Sequence, residues 1–288
     1  MIRKLLRKLI FVANGRTIRI NEKKIRLPEK FIEHFNVRRN NPMEPELYRV
    51  LSRLIKKDNV FIDIGANIGI FSLLASEITG PKACVIVVEP NPVTFGFLSE
   101  IIAANKKYDN LILLQLAISD NLSVLPLQLN QDDSILMERA SIIHQEAGAG
   151  TVNVFTNRID NIVPINVKPD ILKIDVEGAE LAVLEGARSI LDAVKPIVCI
   201  EVHGLYFDNP QKHVEAVFAF FEKAGYYGIN IFKNRVESVQ SFMEDSGVPG
   251  NDPVSKKLLN KLGYGNLIFV SNEMQKQWVL KACETLNS

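Results

Sequence analysis

The sequence predicts an α/β fold: a seven-stranded, mostly parallel sheet with helices on both faces. Three observations carry that expectation. Short apolar runs recur along the chain, at Val60–Ile64, Cys84–Val88, Leu111–Leu116, Asp170–Ile174 and Pro196–Val202. They lack the alternation of half-exposed strands, which is the pattern of parallel strands buried on both sides. Each is followed by a stretch with its own connection or helical period, and two further strand-like runs, Tyr226–Phe232 and Asn266–Val270, complete the set.

The 288 residues fit one large domain, or one domain with a small appendage. With 47% hydrophobic and 23% charged residues, the chain has ample material for a core. The net charge of +1 conceals an asymmetry. Residues 1–40 hold 12 Lys and Arg against 3 Asp and Glu, leaving 22 against 30 for the remainder. An acidic domain behind a basic arm argues against a nucleic-acid enzyme with a broad basic face. Cys84, Cys199 and Cys283 are far apart and show neither zinc spacing nor a disulfide framework, so no metal is expected and a cytoplasmic setting is.

Residues 1–45 form the predicted basic appendage. Met1 to Phe11 sets Ile2, Leu5, Leu6, Leu9 and Ile10 against Arg3, Lys4, Arg7 and Lys8, a short amphipathic helix. Residues 1–12 suit contact with an anionic membrane surface, and equally suit packing on their own domain or on a second copy in a homo-oligomer. Arg16 to Leu27 reads as a hairpin. The domain proper, 46–288, opens with a helix over Glu46–Lys57 that turns Leu47, Val50, Leu51 and Leu54 to one side.

Asn91-Pro92 marks a helix start, with the helix running to about Asn105. Residues 121–156 read as β-structure and loop, where Asp132 and Asp133 suit a solvated turn better than a metal site. Ala179–Leu191 reads as one helix, and Asn209-Pro210 caps another that ends at Gly225. Residues 233–265, rich in Gly, Pro and charge, read as an insertion.

The first strand leads into Asp63-x-Gly65-x-Asn67-x-Gly69 and a helix starting at Ile70. This is not the three-glycine dinucleotide fingerprint, and an Asp beside the first glycine repels a pyrophosphate. It suits a ligand with a cationic amine and no phosphate, such as S-adenosylmethionine. Gly65 and Gly69 are expected to let backbone approach that ligand. Glu89 lies 20 residues past Gly69, where such folds keep an acid for ribose hydroxyls. Asp63, Glu89, Asp175 and Glu201 all fall at strand ends, on the carboxyl edge where open α/β sheets bind ligands.

At these residues the chain resembles the FkbM family of S-adenosylmethionine-dependent methyltransferases. The matching segments are Phe61-Ile62-Asp63-Ile64-Gly65-Ala66-Asn67-Ile68-Gly69, Val88-Glu89-Pro90-Asn91-Pro92 and Leu172-Lys173-Ile174-Asp175-Val176-Glu177-Gly178-Ala179-Glu180, with shorter echoes at Leu184–Ala187 and Asn266–Val270. The likeness spans residues 46–270. It implies a class I methyltransferase (Rossmann-like) sheet with an antiparallel last strand. It also implies S-adenosylmethionine near Asp63, Gly65, Asn67 and Gly69, with Glu89 on the ribose, Asn91 or Asp120 near the adenine, and Asp175 at the methionine end. The implied reaction is O-methylation of a hydroxyl on a sugar, glycan or natural product.

An alcohol acceptor must lose its proton, so a general base is expected. His203 is the first candidate by its free pKa, with Asp175 and Glu177 as alternatives. Two other readings stay open: a non-catalytic S-adenosylmethionine- or nucleotide-binding module, and an N-methyltransferase. Nucleic-acid amines are disfavoured, because the fourth strand ends in Asp175-Val176-Glu177-Gly178 and not in an Asn/Asp-Pro-Pro-aromatic segment.

Overall fold

The computed structural model describes residues 16–20, 23–27, 44–105, 109–129, 140–142, 150–202, 209–231, 233–245 and 266–284. The central sheet is built from β3 (Phe61–Ile64), β4 (Val85–Val88), β5 (Leu111–Leu114), β10 (Ile171–Ile174), β11 (Ile197–Glu201), β12 (Tyr227–Asn230), β13 (Arg235–Glu237) and β14 (Asn266–Val270). Their order across the sheet is β13-β12-β14-β11-β10-β3-β4-β5. Strands β11, β10, β3, β4 and β5 run parallel to their neighbours in that order. Strand β14 slots antiparallel between β11 and β12.

The expected mostly parallel sheet with a reversed last strand is therefore present, with one addition. Strand β13, inside the stretch read as an insertion, makes the sheet eight-stranded. Asn234 turns the chain back at φ 49°, and the buried Glu237 carboxylate accepts from Asn230 Nδ2 at 3.0 Å. Asn tolerates that left-handed turn better than most residues. A single Asn in a charged stretch gave no strand signal.

Alternate residues of each strand feed two apolar layers. Phe61, Val85, Val87, Ile171, Cys199 and Ile268 face one layer, which is closed by α1 (Pro45–Leu54), α2 (Ile70–Thr79), α3 (Pro92–Ala104) and α9 (Glu273–Cys283). Ile62, Ile64, Val88, Leu172, Ile174 and Val198 face the other. It is closed by α4 (Ile159–Ile162), α5 (Glu180–Gly186), α6 (Arg188–Ala193), α7 (Pro210–Lys223) and α8 (Val239–Asp245).

The helix expected over Ala179–Leu191 is two helices, α5 and α6. The Asp160 carboxylate accepts from Ser189 N at 2.9 Å and Ile190 N at 3.0 Å, so it caps a new helix start in mid-run. Gly186, just before the break, lies so close to the Ser119 carbonyl that an added Cβ would overlap it. Helical periodicity alone carries no trace of a cap supplied from 30 residues away.

The stretch after β5 forms a separate four-stranded sheet, β6 (Ala117–Ile118), β7 (Ser123–Leu129), β8 (Ala140–Ile142) and β9 (Thr151–Asn157), in the order β6-β9-β7-β8. The N-terminal hairpin, β1 (Arg16–Ile20) and β2 (Lys23–Leu27), docks on the domain. Arg26 N donates to Asn105 Oδ1 at 2.9 Å, Asn105 Nδ2 donates to Arg26 O at 2.8 Å, and Ile25 is buried in the first apolar layer. Among the described residues, no helix is long and apolar enough to cross a membrane. Residues 1–12, Asp132 and Asp133 lie outside the described residues.

Candidate functional site

The loop after β3 is shaped by three left-handed residues, Gly65 at φ 76°, Asn67 at 51° and Gly69 at 79°. Gly65 N and Ala66 N both donate to the Val88 carbonyl at 2.9 Å, which ties the loop to the end of β4. Asn67 stabilises its own unusual conformation, because its Oδ1 accepts from Ile68 N at 2.8 Å. That contact explains an Asn where a third glycine would otherwise stand.

The structure adds reasons for the glycines that lie within the chain itself. An added Cβ at Gly65 would overlap the Asp175 carbonyl oxygen, and one at Gly69 would overlap Leu98 Cδ1. At Gly65 the close approach of the β3 and β10 loops demands glycine, and at Gly69 the left-handed φ of 79° favours it, since Leu98 Cδ1 is the movable tip of a side chain. No ligand is needed to explain either.

Asp63 is fully buried and faces the first apolar layer. Its Oδ2 accepts from Ser72 Oγ on α2 at 2.5 Å, and its Oδ1 lies 3.7 Å from Lys173 Nζ. The carboxylate expected beside the ligand thus anchors α2 to the sheet. Glu89 is also buried, and its two oxygens accept from Asn67 N at 2.8 Å and Asn91 N at 2.9 Å. It clasps the two loops that follow β3 and β4. Burial pushes the Glu89 carboxyl up to about 7 despite those two donors.

Asn91 Oδ1 accepts from Val93 N and Thr94 N and so caps α3, as its place before Pro92 predicted. Asp120 is exposed, and its Oδ1 accepts from Ser119 Oγ and Asn121 Nδ2.

Two further residues complete the site, and neither was singled out from the sequence. Lys173, in the middle of β10, buries its side chain and brings Nζ to 3.2 Å from Asp175 Oδ2, over the Phe71 ring at 4.9 Å. Burial alone would lower its pKa, but Asp175, Asp63 and Glu44 together hold it above the ordinary lysine value. Glu44, the N-cap of α1, accepts from Asn266 Nδ2 at 3.1 Å. Burial raises its pKa, Lys173 opposes the rise, and Asp175 and Asp63 add to it. One carboxylate oxygen each from Glu44, Asp175 and Glu201 lies within 4.8 Å of the others, a spacing that suits a cation.

Sequence position predicted the meeting of Asp175 and Glu201. It did not predict Glu44, which lies in the segment read as an appendage. The signal for Lys173 was there, since a lysine in a strand buried on both faces must find a partner. The loop after β10 presents Asp175 and then Glu177, at φ 49°. His203 lies outside the described residues. Cys199 is fully buried in mid-strand, and burial pushes its thiol up to about 12, so it is no nucleophile at neutral pH.

A family model described as the methyltransferase FkbM domain matches residues 63–227, from Asp63 through the first residue of β12. Two curated proteins share part of the chain. The hexuronic acid methyltransferase AglP of Haloferax volcanii is 30% identical over 162 residues, 56% of this chain and 62% of its own. The methyltransferase sdnD of Sordaria araneosa is 32% identical over 153 residues, 43% of this chain and 59% of its own. The matches thus span about three-fifths of each relative. A solved methyltransferase FkbM from Methylobacillus flagellatus KT aligns with 60% of this chain and 48% of its own, at 18% identity and a TM-score of 0.38.

Proposed function

The chain belongs to the FkbM methyltransferase family, and we propose that it moves a methyl group from S-adenosylmethionine to a hydroxyl of a sugar, glycan or related natural product. The observation that carries this reading is the acid set at the carboxyl edge of the sheet, Asp175, Glu201 and Glu44 beside the β3 loop. A phosphate-bearing cofactor is repelled there, whereas a donor with an ammonium and a sulfonium is attracted. The residues fit that donor in a second way. Glu89, at the end of β4, keeps acceptor capacity on oxygens already oriented by two backbone N–H groups.

When bound, S-adenosylmethionine supplies an electrophilic methyl group. Asp175 and its acidic neighbours would hold the amino-acid end, and Glu89 would accept from the ribose hydroxyls. Lys173 Nζ stands 3.2 Å from Asp175 Oδ2 and fixes that carboxylate's position. The acceptor hydroxyl gives up its proton during transfer, which His203, Glu177 or Asp175 would receive. The named activity of the Haloferax relative supports a sugar-type acceptor.

The test is direct. Purified protein is titrated with S-adenosylmethionine by calorimetry, then given methyl-labelled donor with a panel of sugars, uronic acids and lipid-linked glycans. Saturable binding with label on an acceptor oxygen supports the proposal. Binding with no transfer to any acceptor favours a sensor module, and label on nitrogen favours an N-methyltransferase. Flotation with anionic vesicles, with and without residues 1–12, tests the arm as a membrane contact.

A further inference from the structure

The buried Glu180 and His213 take no part in the chemistry described so far. Glu180 opens α5 and is fully buried, while His213 sits in the first turn of α7 and is 5% exposed. Glu180 Oε2 lies 2.8 Å from His213 Nε2, and Glu180 Oε1 accepts from Gly178 N at 3.1 Å. One carboxylate therefore joins two elements and a loop: α5, α7 and the turn that follows β10. We propose that Glu180 and His213 are positioning residues that lock the 175–178 loop, and so set Asp175 for the ammonium of the donor.

The loop needs such a lock. Glu177 at φ 49° and Gly178 at φ 104° are consecutive left-handed residues, a conformation that costs on the order of 1 kcal/mol or more at the non-glycine position and persists only when its surroundings hold it. The first half of the loop is tied on the strand side. Asp175 N donates to Ile64 O at 3.0 Å, and Asp175 Oδ2 bonds Lys173. The second half is tied by Glu180, since the N-cap residue Ala179 has no side chain with which to cap the helix. His213 in turn fixes the Glu180 rotamer from α7, the helix that follows the β11 connection carrying His203. A buried polar pair contributes little to net stability when compared with a well-packed apolar one, so specificity of geometry is the stronger reason for this one.

The inference rests on the donor assignment made above, and the experiment separates the two. Full-length protein, Glu180→Ala, Glu180→Gln, His213→Leu and the remote core variant Val279→Ala are compared. The readouts are S-adenosylmethionine titration, amide exchange of residues 176–179 and thermal melting. Glu180→Ala and His213→Leu are expected to weaken binding about tenfold and to speed exchange at Gly178. Glu180→Gln, which keeps an acceptor for Gly178 N–H, should stay within threefold of the parent. Val279→Ala should melt earlier and bind normally.

Binding within twofold of the parent for Glu180→Ala overturns the proposal. So does an equal loss in Val279→Ala, which would trace the effect to general destabilisation. If Glu180→Ala does not fold, His213→Leu decides by the same criterion, with Glu180→Gln as the conservative control. If the parent shows no binding at all, the donor assignment fails. Unchanged exchange at Gly178 would then reject the lock as well.

Discussion

Lys173 and Asp63 stand directly opposite each other on the parallel strands β10 and β3, with the ammonium 3.7 Å from Asp63 Oδ1 and both side chains buried in an otherwise apolar layer. The pair sits beneath α2, which contributes Ser72 to the carboxylate and Phe71 to the ammonium. Removing one partner strands the other. Lys173→Met should lower stability by about 3–5 kcal/mol, the usual cost of an uncompensated buried charge. The double variant Lys173→Met/Asp63→Asn should recover a good part of that loss in denaturant unfolding. A double variant no more stable than Lys173→Met would mean that the two residues are not coupled.

Glu89 makes a prediction about pH. Its folded-state carboxyl is raised from 4.5 to about 7, so between those values the folded chain holds a proton that the unfolded chain has lost. Stability from this group is complete below about pH 4.5 and declines as pH rises toward 7, by up to about 1.4 kcal/mol per unit. Glu89→Gln should flatten that segment of the melting-temperature profile. Donor binding runs the other way, since the ionised carboxylate is the better acceptor for hydroxyls. Affinity for S-adenosylmethionine should rise through pH 7 in the parent and lose that dependence in Glu89→Gln. Parallel profiles for the two proteins would contradict both statements.

Two glycines separate site from scaffold. Gly65→Ala drives a Cβ into the Asp175 carbonyl, and Gly186→Ala drives one into the Ser119 carbonyl. Each should cost about 2 kcal/mol or more by overpacking, in part because Gly65 also holds a positive φ. Gly65→Ala moves the β3 and β10 loops, so it should abolish donor binding at temperatures where both variants remain folded, whereas Gly186→Ala, which presses on the backbone beside Asp120, should weaken it less. Circular dichroism melting followed by titration at 15 °C distinguishes them.

The proton acceptor is decided by three substitutions. If His203 is the general base, His203→Ala should lower turnover 10²–10⁴-fold while the donor dissociation constant stays put. Glu177→Gln should then lose much less, and Asp175→Asn should weaken donor binding itself. A His203→Ala enzyme with parental turnover would pass the role to Glu177 or Asp175.

Strands β3, β4, β10 and β11 were legible because each is buried on both faces and so must be continuously apolar, whereas the edge strand β5 is apolar although partly exposed. Their carboxyl ends were legible because an acid breaks the apolar run. Glu44 was not, because nothing local marks it. It reaches the site through Asn266, more than two hundred residues later, and only tertiary structure makes them neighbours. Lys173 was visible as an oddity in an apolar strand, but its meaning needed the register that sets it against Asp63. The Asp63 carboxylate was legible as a signature, but its partners Ser72 and Lys173 were not, because position in a motif does not say which way a side chain points. The break between α5 and α6 was hidden for a similar reason, since Asp160 imposes it from outside the helix.

Strand β14 lies between β11 and β12, although its residues come after both in the chain. Until 266–270 have been synthesised, β12 and β13 have no sheet to join, and Asn266 cannot hold Glu44 beside Asp175 and Glu201. The parallel strands can therefore pair before β14 is made, whereas the acid set of Glu44, Asp175 and Glu201 is complete only once 266–270 have been added.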